Sequence, residues 1–125
     1  MAPSRPAALI VEDQPFIGMV ASDILRESGF QTFHAYDANA AAALLDEHPE
    51  IELVVTDADL PGDVTGLELC RRVSRERPNI RLVVTSSGQR MASVEVPRGA
   101  RLLRKPYASG ELRTLVSGNL AFADA

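Results

Sequence analysis

Short apolar runs that give way to polar residues at their carboxyl ends constrain this chain more than any other feature. Ala8-Leu9-Ile10-Val11 runs into Glu12-Asp13, and Leu82-Val83-Val84 runs into Thr85-Ser86. The stretch from Ile51 to Thr56 runs into Asp57, and Ala100 to Leu103 leads to Lys105-Pro106. A run without polar alternation is the pattern of a strand buried on both faces, as in a parallel sheet. In such sheets ligands and chemistry collect just beyond the carboxyl ends of the strands. If the strands are parallel, the four polar ends meet in one pocket, and Asp57 stands among them.

Helical segments separate the runs. Residues 7–11 read as the first strand. Asp13 is a candidate cap for a helix with Pro15 in its first turn, where proline is tolerated. Ile17, Val20, Ala21, Ile24 and Leu25 then recur at helical spacing, and Gly29 stops the helix. Residues 31–35 make a weaker second strand. Asp37 caps a helix over about 38–48 that Pro49 ends. Residues 52–56 form the third strand. A loop with Pro61, Gly62 and Gly66 leads to a helix over about 66–77 with Leu69, Cys70 and Val73 inward. Residues 80–85 and 100–103 are the fourth and fifth strands. A last helix over about 109–121 places Leu112, Leu115, Val116 and Leu120 on one face. Strands alternating with helices predict βαβ units and a parallel sheet covered on both faces. The crossover from Ser86 to Gly99 contains Ser87, Gly88, Pro97 and Gly99, so its helix is expected to be short or irregular, near Gln89–Val94.

Composition narrows the function. The 125 residues suffice for one domain, 1–125, with loose tails at 1–6 and 122–125. A net charge of −4 argues against direct nucleic-acid binding, which needs a basic face. No apolar stretch approaches the roughly 20 residues that span a bilayer, and the N-terminus lacks a signal-peptide core; these favour the cytoplasm. The lone Cys70 reads as a small core residue. His34 and His48 have no partners at ligand spacing and read as structural or solvated. Arg71, Arg72, Arg75 and Arg77 read as the exposed face of the third helix, partly neutralised by Glu68 and Glu76.

The acidic pair Glu12-Asp13, then Asp57, Leu60-Pro61 with a later glycine, Thr85, and Lys105-Pro106, each following its own strand, resemble the receiver domain of two-component response regulators over about residues 7–121. The resemblance implies a flavodoxin-like (βα)5 three-layer sandwich with a parallel sheet in the order 2-1-3-4-5. It implies a phosphoacceptor, Asp57, that takes a phosphoryl group from a sensor histidine kinase or His-phosphotransfer protein. A carboxylate can attack phosphorus and form an acyl phosphate. Three converging acidic groups suit a hard cation, Mg2+ or Mn2+, which takes oxygen ligands. The resemblance assigns it Asp13 and Asp57 directly, the Asp59 carbonyl, and Glu12 through water. Lys105, the Thr85 hydroxyl and the Ser86 backbone N–H are assigned to the phosphoryl oxygens, in keeping with catalysis by positioning and charge neutralisation. The family's bond before Pro106 is usually cis.

Three departures stand out. Gly66 follows Pro61 one residue later than is usual, which implies an insertion among Gly62–Thr65. Leu102 stands where the family usually has an aromatic switch residue. The spacing from Thr85 to Lys105 is shorter than usual. Phosphoryl chemistry is therefore expected with a signal passed by another route. Gln14, Pro15, Phe16 and Ile17 are candidates for docking a helical partner. The chain is expected to be no enzyme beyond its own phosphorylation and dephosphorylation, a monomer or weak dimer without an output domain, acting on an unknown downstream protein. Asp57-Ala58-Asp59 also resembles the nucleophile motif of haloacid-dehalogenase-type phosphatases, but those carry their acidic pair after the lysine. A degenerate receiver that only binds a partner is the other alternative.

Overall fold

A computed structural model describes residues 5–62, 64–87 and 96–117. In chain order the elements are β1 (Ala7–Val11), α1 (Pro15–Glu27), β2 (Gln31–Ala35), α2 (Ala38–Glu47), β3 (Ile51–Asp57), α3 (Gly66–Glu76), β4 (Arg81–Ser87), β5 (Arg101–Lys105) and α4 (Ser109–Ser117). The five strands form one sheet in the order β2-β1-β3-β4-β5, with every neighbouring pair parallel. This is the flavodoxin-like arrangement. The crossover helix expected near Gln89–Val94 and the end of the last helix, with Leu120, lie outside the described residues.

Successive strand residues point to opposite faces, and both faces are covered. Leu9, Val11, Val54, Leu82 and Val84 join one apolar cluster with Ala41 and Leu45 of α2 and Leu69, Cys70 and Val73 of α3. Ala8, Ile10, Leu53, Val55, Val83 and Leu103 join a second with Ile24 and Leu25 of α1 and Leu112 and Val116 of α4. That division explains the uninterrupted apolar runs: all of β1, residues 53–57 of β3 and residues 82–86 of β4 are buried.

The helix ends show how local chemistry places the elements. The α1 helix stops in a Schellman motif. Gly29, at φ +99°, donates its N–H to Arg26 O at 3.0 Å, and Phe30 N–H reaches Leu25 O at 3.1 Å. Asp37 caps α2, its Oδ1 accepting from Ala40 N at 2.8 Å. A capping box opens α3: Thr65 Oγ1 accepts from Glu68 N, and Glu68 Oε1 accepts from Thr65 N.

Three expectations are corrected. Asp13 does not cap α1; Gln14 is the N-cap residue and makes no side-chain cap bond. Its N–H is instead taken by Glu12 Oε2 at 3.2 Å, so an acidic group one residue further back satisfies the turn. Arg77 is not part of a solvated arginine face. Its guanidinium donates to the carbonyls of Leu45, Pro49 and Ile51 at 2.9–3.1 Å, clamping the end of α2 to the start of β3. Arg72 pairs with Glu76, whereas Glu68 is engaged in the capping box rather than in neutralising arginines. Finally, β4 and β5 run on to Ser87 and Lys105 rather than ending at Thr85 and Leu103, so Ser86 and Lys105 lie within strands.

Candidate functional site

The chain passes from β1 out to β2 and returns to β3 on the other side of β1. That reversal opens a crevice beyond the carboxyl ends of β1 and β3, where ligands bind in open α/β sheets. Glu12 and Asp13 follow β1 directly, and Asp57 is the last residue of β3. One carboxylate oxygen from each of the three lies within 4.8 Å of the others. Glu12 and Asp57 are buried, at 4% and 8% exposure, and Asp13 faces solvent.

Lys105 reaches across from β5. Its ammonium donates to Glu12 Oε1 at 2.7 Å and to Asp57 Oδ2 at 2.9 Å. The other Asp57 oxygen accepts the Asp59 N–H at 2.9 Å. The Asp57 side chain is thus fixed by a cation on one oxygen and a backbone donor on the other. Thr85, almost fully buried, sits opposite Asp57 in the β3–β4 register, and its carbonyl accepts from Ala58 N at 2.8 Å. Ser86 is fully buried, and its Oγ has no hydrogen-bond partner among the described residues. The Lys105–Pro106 bond is cis. Asp59 is exposed at the rim.

Burial lifts the Glu12 carboxyl above its ordinary range, opposed by the hydrogen bonds from Lys105 and Gln14. Burial also works against the Lys105 charge, but its bonds to Glu12 and Asp57 outweigh it and leave the ammonium held above its ordinary value. The cation stays charged because it is paired twice. Three acidic side chains against one lysine leave an excess of negative charge, supplied entirely by oxygen donors. That donor set fits a hard divalent cation.

A family model described as the response regulator receiver domain matches residues 8–117. The chain belongs to the response regulator receiver domain family. Among solved structures, it resembles a response regulator receiver protein from Sinorhizobium medicae, with 25% identity and a TM-score of 0.82 over 98% of this chain and 97% of that one. The receiver domain of NtrX from Brucella abortus shares 27% identity, with a TM-score of 0.77 over 86% of this chain and 92% of that one. In a longer NtrX structure, solved in complex with ADP, the match covers 90% of this receiver but only 26% of that chain, at 27% identity and a TM-score of 0.79.

Gly66 stands out in the sequence only by its spacing from Pro61, and Tyr107 belongs to none of the motif pieces. Gly66 packs so closely on β3 that a Cβ there would lie 1.7 Å from the Asp57 carbonyl oxygen. Tyr107 shares a small cavity with Glu12, Asp57 and Thr85. Its phenol is pushed up by burial, with the Glu12 and Asp57 charges adding to the effect. Its place directly after Lys105-Pro106 could have drawn attention to it. On its outer side, Tyr107 also lines a groove of about 450 Å3 with Phe16, Ile17, Val20, Lys105 and Pro106. Of the four docking candidates, Gln14, Pro15 and Phe16 are exposed, Phe16 at 75%, and Ile17 is half-buried. Leu102 is half-buried against the cluster that includes α2 and α3. No helix among the described residues is long and apolar enough to cross a membrane.

Proposed function

We propose that this receiver accepts a phosphoryl group on Asp57 from the phosphorylated imidazole of a histidine kinase or His-phosphotransfer protein. The observation that carries the reading is Lys105 held against both Glu12 and Asp57. An Asp57 carboxylate oxygen attacks phosphorus, the P–N bond breaks, and the histidine imidazole leaves as the acyl phosphate forms. Lys105 is placed to release its carboxylate contacts in favour of a phosphoryl oxygen. The Thr85 hydroxyl and the Ser86 N–H are the donors for the remaining negative charge. Asp13, Asp57 and the Asp59 carbonyl, with Glu12 through water, would hold Mg2+ or Mn2+, which when bound supplies positive charge at the reacting oxygens.

The groove bordered by Phe16, Ile17 and Tyr107 opens beside Lys105, so a partner helix seated there would bring its histidine near Asp57. The signal would then pass to a downstream protein by contact. Leu102 has no aromatic ring to report the change. Tyr107, which lines both the cavity at Asp57 and the outer groove, is the side chain through which we place the readout.

Incubation with acetyl phosphate and a divalent cation should give one hydroxylamine-labile phosphoryl adduct by intact mass, absent in Asp57→Asn. Incorporation in Asp57→Asn equal to the parent would move the acceptor elsewhere. On phosphorylation, the Tyr107 ring resonances should shift while the Leu102 methyl resonances hold still; the reverse pattern would refute the Tyr107 route.

A further inference from the structure

We infer that His34 is a positioning residue for the acidic turn, its imidazole fixing the Glu12 carbonyl and so setting where the Glu12 and Asp13 carboxylates stand toward a divalent cation. The inference rests on the reading of that turn as a cation site.

His34 lies on β2, in register with Ile10 on β1, and the last paired residues of the two strands are Val11 and Ala35. Just beyond them the Glu12 peptide is held from both sides. Its N–H donates to Ala35 O at 3.0 Å, and its carbonyl lies 2.9 Å from His34 Nε2. A carbonyl can only accept, so Nε2 carries the proton and donates it. With the Glu12 Oε2 bond to Gln14 N–H, the turn has three ties, and His34 supplies the one on the peptide joining Glu12 to Asp13.

The ring reaches this place only because α1 has no side chain at Gly18. A Cβ there would lie 2.1 Å from Cε1, 2.4 Å from Nε2 and 2.9 Å from Nδ1 of His34, all closer than any real contact. Gly18 is buried in the interior of a 13-residue helix, where glycine is less stable than alanine. The helix gives up that stability at the position the imidazole occupies. The ring also meets Tyr36, with centroids 4.3 Å apart. Two residues far apart in sequence thus form one fitted contact, and its polar end is the Glu12 carbonyl.

The test uses the full chain and Mn2+ as the probe, with free Mn2+ read by electron paramagnetic resonance. His34→Gln keeps an N–H donor that can reach the carbonyl, and it should bind Mn2+ within about twofold of the parent. His34→Leu keeps bulk without a donor, and losing a hydrogen bond that orients a metal ligand should weaken binding about tenfold. Gly18→Ala displaces the ring while keeping the histidine, and should behave like His34→Leu even though it favours the helix. In both weakened variants the Glu12 and Asp13 amide resonances should move while thermal unfolding stays cooperative. Parent-like Mn2+ affinity in folded His34→Leu or in Gly18→Ala overturns the inference. A parent that binds no Mn2+ overturns the cation reading itself, and the inference falls with it.

Discussion

Gly66 and Cys70 stand one turn apart on α3, and each is explained by what lies against it rather than by its own chemistry. Gly66 opens the helix where α3 presses on the Asp57 carbonyl, leaving no room for a side chain. Gly66→Ala should push α3 away from β3, destabilising the fold by about 1–3 kcal/mol as overpacking does. It should also slow phosphorylation, because the displaced backbone carries the acceptor; urea unfolding and adduct formation measure the two effects. Cys70 is fully buried, and burial pushes its thiol up to about 12. The raised value keeps the thiol protonated at neutral pH, so it is a poor nucleophile. Iodoacetamide at pH 7.5 should leave native chain unmodified by intact mass and alkylate it fully in denaturant; rapid native alkylation would contradict this packing.

At the scale of elements, capping and clamping chemistry fixes where helices begin and end. Thr65→Ala removes the capping box of α3 and should cost about 0.5–2 kcal/mol, seen as a lower urea midpoint with an unchanged slope. Arg77 satisfies three backbone carbonyls with a planar fork that a lysine cannot reproduce. Arg77→Lys should therefore destabilise nearly as much as Arg77→Ala, and full rescue by lysine would show that charge alone matters. The element boundaries also show the limits of sequence reading. Asp37 was legible as a cap because its side chain acts on its own helix. Asp13 looked equivalent, but Glu12 competes for the same turn and the Asp13 carboxylate turns to the acidic cluster instead. Strands β4 and β5 extend past their apolar residues because backbone pairing continues where side chains have become polar.

For the molecule as a whole, two apolar layers bury the sheet and leave its carboxyl edge charged. Leu53→Ala, at a fully buried position in the layer beneath α1 and α4, should lower stability by about 2–5 kcal/mol. The charged edge predicts a separate response. Mg2+ at about a hundred times its Kd should stabilise the fold by about 2.7 kcal/mol, read as a rise in Tm that Asp13→Asn abolishes; an equal rise in both would place the ion elsewhere. The parallel sheet, its strand order and the meeting of Glu12, Asp13, Asp57, Thr85 and Lys105 were legible from sequence. Apolar runs and the polar residues that end them are local signals, and the resemblance supplied their order in space. The sequence by itself determined which strands are buried on both sides and which polar groups stand at their ends. Only the tertiary structure decided what those groups touch: Lys105 on two carboxylates, Gly66 against Asp57, Arg77 across two elements, and His34 in the space left by Gly18. Those contacts join residues far apart in the chain, and they depend on ångström-scale fit between elements, which no local pattern of residues encodes.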